Sequence, residues 1–291
     1  TPAQYLSTRP TRDQETISYL AQTFPNPFYG IDPIFGQRIS RANLLRPYPQ
    51  FGDINVEEPI GYSIYHSMQN RIERRFSQGF TLQIAYTWSK LMEATSFLNP
   101  TDPLPYYVIG NFDRTHRTAG SGIWEVPVGR GRKWGNSLPG VLEGILGGWQ
   151  VSGMYQNQSG PPLGFGNIIF NGNLKDIVLP KDQRSAERWI NIDAGFNRVS
   201  SQQLGSNIRT FPLRLSGVRG DNQVRWDFSF IKNFQLHEDA RVEFRAETYN
   251  AFNQTSFNAP NTSPTSSSFG QITSVVSPSG RSWQFALKVV F

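Results

Sequence analysis

Cysteine is absent from the 291 residues, which removes disulfides, zinc–thiolate centres and thiol nucleophiles together. The same absence suits a chain that crosses an oxidising compartment before it folds. Long apolar runs are missing too. No window approaches the roughly 18 uninterrupted apolar residues that a membrane-spanning helix needs, so a helical membrane protein is excluded. Apolar residues amount to only 37%, below the roughly 45–50% of an average soluble domain. The opening residues, TPAQYLSTRPTRDQETISYL, have neither a basic start nor an apolar stretch. No secretory signal is read there, and the expectations are a cytosolic chain or one whose leader lies upstream.

What is present is aromatic and basic. Aromatic residues reach 13%, with 21 Phe and 11 Tyr, a composition poor in buried runs and rich in amphipathic surfaces. That suits a β-barrel with a polar interior and aromatic girdles outside. The formal charge is +6, from 28 basic and 22 acidic residues. Because the basic residues are dispersed through the whole chain, no nucleic-acid partner is expected.

The dominant pattern is a period of two, the signature of strands. In RSWQFALKVVF at the chain end, Trp283, Phe285, Leu287, Val289 and Phe291 form one face, and Gln284, Ala286, Lys288 and Val290 the other. In FTLQIAYTWSK, Phe80, Leu82, Ile84, Tyr86 and Trp88 alternate with Thr81, Gln83, Ala85, Thr87 and Ser89. Before it, Ile64, Met68, Ile72 and Phe76 alternate with Gln69, Arg71, Glu73 and Arg75. Further on, Trp226, Phe228, Phe230 and Phe234 share a face, as do Val242, Phe244, Ala246 and Phe252. Opposite the last set stand Arg241, Glu243, Arg245 and Glu247. Such a ladder is costly in a dry core. A water-filled lumen removes that cost. Residues 118–128 and 149–159 read as glycine-rich strands, giving about seven long strands after residue 62.

Register follows from keeping the apolar faces together: Phe76 opposite Phe80, Ile72 opposite Ile84, Met68 opposite Trp88. Ser77, Gln78 and Gly79 are expected to form a three-residue loop. Connections near Gln78 and His237 are short, 129–148 is intermediate, and 91–116, 160–221 and 254–280 are long and rich in Pro, Asn, Ser and Gly. Alternating short and long connections are what an outer-membrane barrel shows, with short turns in the periplasm and long loops outside. The fold expected is therefore all-β: an antiparallel transmembrane β-barrel portion of meander strands with long external loops, open or incomplete here. Residues 1–61 are expected to form an external loop region leading into the first strand, and 62–291 the barrel portion. The stretch SSFGQITSVV is expected to form a short extra hairpin arm.

Six ordered blocks, YHSMQNRIERRFSQGFTLQIAYTWSK, NFDRTHR, LGGWQVSGMYQNQSGPPL, RWDFSFIKNF, RVEFRAETYNAFNQTSF and RSWQFALKVVF, together resemble the C-terminal part of TonB-dependent outer-membrane receptors. The closest group is the large type with a carboxypeptidase-regulatory-like N-terminal domain. The resemblance implies a barrel of about 22 strands around a plug, uptake of a scarce solute, and energy delivered by the TonB complex. It implies further partners in outer-membrane lipid and the barrel-assembly machinery. Trp283, Phe285, Leu287, Val289 and Phe291 would be both the assembly signal and the lipid face of the last strand. The plug and the TonB-contact motif have no counterpart here, so the chain reads as a C-terminal fragment.

Chemistry finds little footing. His66, His116 and His237 lack metal-ligand spacing. Asp113 beside His116 in DRTHR suggests acid–base work, but a solvated loop entering a strand is the simpler reading. GRGRKWG, residues 129–135, fits no phosphate-binding fingerprint and reads as a periplasmic turn touching anionic lipid. No catalytic, cofactor or metal site is expected. Arg241, Glu243, Arg245 and Glu247 read either as a solute path or as charges paired between neighbouring strands to stiffen the wall. Trp124, Trp149 and Trp226 sit near strand ends, as an interfacial belt requires. The function expected is a transporter wall for an unidentified solute; the alternatives are a structural or adhesive outer-membrane barrel without energised transport, and a soluble β-sandwich lectin or enzyme domain.

Overall fold

The computed structural model of the chain describes residues 1–52, 54–235, 240–277 and 280–291. Two short strands, β1 (Thr23–Pro25) and β2 (Arg38–Ser40), and two helices, α1 (Gln14–Ala21) and α2 (Arg41–Leu44), occupy the N-terminal region. The wall consists of β3 (Tyr62–Ser77), β4 (Phe80–Ala94), β6 (His116–Glu125), β7 (Trp149–Gln158), β10 (Gln223–Gln235), β11 (Arg241–Tyr249) and β12 (Ser282–Val290). These long strands follow one another as an antiparallel meander, with a small strand β5 (Val108–Ile109) pairing β4. β3 and β12 are the two edges of an open sheet. Helix α3 (Gly140–Leu146) lies between β6 and β7, and β8 (Pro162–Leu163) pairs β9 (Leu215–Arg219) in a separate ribbon.

The registers carry one apolar face across all seven long strands. Ile84 stands opposite Ile72 and Gly120, Phe228 opposite Gly153 and Thr248, and Phe244 opposite Lys232 and Leu287. Among the described residues no second layer covers this face at β12: Phe285 and Leu287 are 66% and 70% exposed. Its ordering comes from ring contacts along the surface, Trp283 on Phe285 at 6.1 Å, Phe285 on Phe244 at 6.5 Å and Phe244 on Trp149 at 6.4 Å. Phe252 lies past the end of β11, yet its ring still meets Trp226 and Phe228 on this side.

The first hairpin departs from expectation in an instructive way. Ile72–Ile84 and Met68–Trp88 pair as predicted, but Ser77, not Phe76, stands opposite Phe80. Only Gln78 and Gly79 form the turn, both with positive φ (55° and 78°), the combination a type I′ hairpin demands. Continued without interruption, that turn would place the charged positions of β3 on the apolar face of β4. A bulge between Arg74 and Ser77 prevents this. It sets two residues against one and restores the parity, and Thr81 Oγ1 donates to Arg74 O at 2.9 Å beside it.

Following the strands, the Gln78–Gly79 turn, the α3 connection and the facing ends of β10 and β11 gather at one end. The turn expected near His237 falls on residues 236–239, outside the described residues. The opposite end carries the three long connections. These fold into a cap with its own apolar core, in which Phe165, Ile177, Ile190, Phe196, Phe211 and Phe269 pack together. Gly172 and Gly195 mark its tightest crossing: a Cβ on Gly172 would collide with Ala194 O, and Gly195 has φ +123°. The SSFGQITSVV segment forms no continuous strand, but it runs antiparallel back along residues 256–261 as one arm of an irregular hairpin, with Phe257 bridged to Val275 and bonds at Asn258 N–Ser274 O (3.1 Å) and Asn261 N–Gln271 O (2.8 Å).

Candidate functional site: the polar face and its capped outer rim

The face opposite the apolar one holds every charge of the predicted ladder. Arg241, Glu243, Arg245 and Glu247 alternate along β11, away from Val242, Phe244 and Ala246. The pairing differs from expectation, because the ion pairs run along strands rather than between them. Arg245 reaches Glu243 at 2.8 Å and Glu247 at 3.8 Å, Arg225 reaches Asp227 at 2.8 Å, and Arg71 reaches Glu73 at 2.8 Å. Residues two apart on a strand point the same way, so these pairs on β3, β10 and β11 are neutralised within the strand. Cross-strand bonds are supplied by neutral groups, such as Arg71 to Gln83 Oε1 at 3.2 Å and Ser229 Oγ to Glu247 at 3.4 Å.

Trp283, Phe285, Leu287 and Val289 stand on the outer face of β12, and Phe291 follows the strand 98% exposed. The histidines do not converge. His66 lies on the apolar face of β3, His116 shares a 2.8 Å hydrogen bond with Tyr86, and His237 is outside the described residues. Asp113 is no partner of His116 and is not solvated. At 1% exposure, it accepts from Leu91 N (2.7 Å), Thr115 Oγ1 (3.2 Å) and Arg219 (2.6 Å). With Arg214 on Glu93 at 2.5 Å and Asn99 Oδ1 accepting from Arg209 N at 2.7 Å, it clamps the cap onto the outer end of β4. The N-terminal region joins this cap through Ser7 N–Ser206 O and Ile208 N–Ser7 O, both 2.9 Å.

Beneath the cap, where the outer ends of β6, β7 and β10 meet residues 250–277, lies a cavity of about 220 Å³. Arg117, Gln156, Gln158, Gln223, Arg225 and Gln254 line it, with Gln158 donating to Gln223 at 2.6 Å. Amides and guanidinium groups present donors and acceptors together, which suits a polar solute. At its edge, burial pushes the Asp221 carboxyl up, against the Phe257 and Asn222 N–H groups that favour its charged form. Alternation in the sequence puts Arg225 on the polar side of its strand but singles out none of the other lining positions, although WQVSGMYQNQS already places Gln150, Gln156 and Gln158 on one face.

An open meander with one apolar face, one charge-paired polar face, short turns at one end and capped loops at the other has a match. Residues 3–284 fit the family described as outer membrane beta barrel domain. The chain belongs to that family. The barrel therefore resides in the bacterial outer membrane, in contact with its lipid. A soluble β-sandwich is thereby set aside. No curated protein and no solved structure matches the chain.

Proposed function

We propose that this barrel portion belongs to the wall of a TonB-dependent receptor that takes up a polar solute. The observation behind the reading is the amide- and Arg-lined cavity at the outer end of the polar face, roofed by the cap. A solute held there is already positioned above the lumen. Charges paired within β3, β10 and β11 let that lumen pass polar groups without holding counter-ions fast. In this reading energy comes from the TonB complex through a plug contributed by chain outside residues 1–291, and no catalytic step is assigned to the residues described. The outward row Trp283, Phe285, Leu287, Val289 and Phe291, on an edge strand, supports recognition by the barrel-assembly machinery.

The test is a depletion profile of the growth medium by cells with and without the full-length protein, in TonB-intact and TonB-depleted backgrounds. Solutes should disappear from the medium only when both are present, and Gln156→Leu with Gln158→Leu should slow that loss. A profile indifferent to TonB would leave a structural or adhesive barrel instead.

A further inference from the structure

The connection between β6 and β7 carries a helix that faces the wrong way for water. At 100° per residue, Val141, Leu142, Ile145 and Leu146 of α3 fall on one arc, and all four are exposed, Val141 at 77% and Ile145 at 58%. Glu143 turns inward, its carboxylate accepting the Arg130 backbone N–H at 2.9 Å, while open space lies beside Gly140 and Gly144. Four large apolar side chains of this helix thus stay uncovered among the described residues.

Its position says where that face goes. The carbonyls at the helix end and its C-cap are taken up by side chains on the apolar face of the wall: Trp149 Nε1 donates to Ile145 O at 2.8 Å, and Lys232 Nζ donates to Gly147 O. Trp149 and Lys232 stand opposite each other in register on β7 and β10. Lys232 is the one cation on the apolar row of β10, and it is buried, its ammonium over the Trp149 and Phe234 rings at 5.9 and 5.2 Å. These contacts hold α3 at the periplasmic rim, on the lipid side of the wall. Beside it Arg130, Arg132, Lys133 and Trp134 are exposed, with Lys133 5.2 Å over the Trp134 ring and Arg132 paired to Glu125 at 2.8 Å.

We propose that residues 126–148 are an interfacial anchor seated in the inner leaflet, with α3 in the acyl region and Arg130 and Lys133 at the phosphates of anionic glycerophospholipids. An amphipathic helix lying in the interface with basic residues along its edge binds by buried apolar area plus attraction to anionic lipid. The occupant is lipid because α3 is tied to the apolar face of the wall through Trp149 and the buried Lys232, and because exposed basic residues border it.

The experiment uses full-length barrel in vesicles of phosphatidylethanolamine with phosphatidylglycerol, fluorescently labelled at Leu142→Cys or Ile145→Cys, with Leu287→Cys as the mid-wall reference. The α3 labels should be quenched by shallow doxyl lipid and protected from iodide. Doxyl-phosphatidylglycerol should quench them several-fold more than doxyl-phosphatidylcholine, and R130Q with K133Q should equalise the two without changing the Leu287 signal. Iodide quenching of the α3 labels overturns the anchor, and so does protection from both quenchers, which would mean a protein covers the helix. Equal quenching by the two lipids in the native sequence overturns the headgroup assignment. Loss of lipid quenching at Leu287 would instead indict the membrane placement of the wall.

Discussion

Leu287 and Lys288 are neighbours in sequence on opposite faces of β12, one in the apolar row and one in the polar row. Leu287→Arg is therefore expected to cost about 2–4 kcal/mol, the range for a cation at the lipid midplane, while Lys288→Gln changes little. Reversible urea unfolding of the full-length barrel in lipid reads both, and equal effects would reverse the face assignment. At Asp113 the expectation is different in kind. Removing Arg219 leaves a buried carboxylate without its cation, a loss of about 3 kcal/mol, visible as faster hydrogen exchange in residues 160–222. Period two made the parity of Leu287 and Arg245 legible in advance. It could not foretell the Asp113–Arg219 pair, whose partners lie 106 residues apart, nor that Lys232 interrupts the apolar row to reach a helix carbonyl.

The hairpin from β3 to β4 shows what pattern alone fixes and what local stereochemistry adds. The apolar alternation demanded the register of the strand bodies, and it is there. It was silent on whether the extra residue sits in the turn or in a bulge. The Gln–Gly pair chose the turn, so the bulge followed. Because Gln78 holds φ 55° in a region where a side chain costs about 1–2 kcal/mol, Gln78→Asn is expected to stabilise the hairpin by under about 1 kcal/mol. Gly79→Val should destabilise it by about 1–2 kcal/mol, its Cβ meeting Glu125 at 3.3 Å. Denaturation midpoints at unchanged slope check both.

Helix α1 offers a pH test. Its N-cap Asp13 accepts from Ser7 Oγ at 2.8 Å and Thr16 N at 3.2 Å. The Ser7 hydroxyl first, then the Thr16 N–H, hold its carboxyl below the ordinary carboxylate value. Its contribution to anchoring α1 is thus present above that ordinary value and lost as pH falls through the depressed folded value. Measured against Asp13→Asn at each pH, the extra exchange protection of residues 7–20 should vanish in acid. Protection that persists there would mean the cap bond does not hold the helix.

On the scale of the whole molecule the wall and the cap were unequally legible. The wall repeats one rule, apolar out and polar in, and sequence displays it strand by strand. The cap has no period: Phe165, Ile177, Ile190 and Phe269 come from separated stretches that read as loops, and only packing reveals them as one core. The cavity beneath was hidden for the same reason, since its walls come from strand ends and loop together. The cap should consequently behave as a folded unit. Phe196→Ala, which opens a cavity among the rings at 4.9 and 5.2 Å from Phe170 and Phe165, is expected to cost about 3–5 kcal/mol. Proteolysis of residues 160–222 should accelerate while the strands stay intact.

The central claim is that one face of this sheet meets hydrocarbon and the other meets water. With no cysteine in these 291 residues, single cysteines placed along β11 and β12 of the full-length barrel in outer membranes can report it directly through a water-soluble maleimide. Labelling should alternate, with positions 241, 243, 245 and 247 and positions 284, 286 and 288 reacting while 242, 244, 246, 283, 285, 287 and 289 stay silent. Uniform labelling of both sets, or reaction confined to the second, would contradict it.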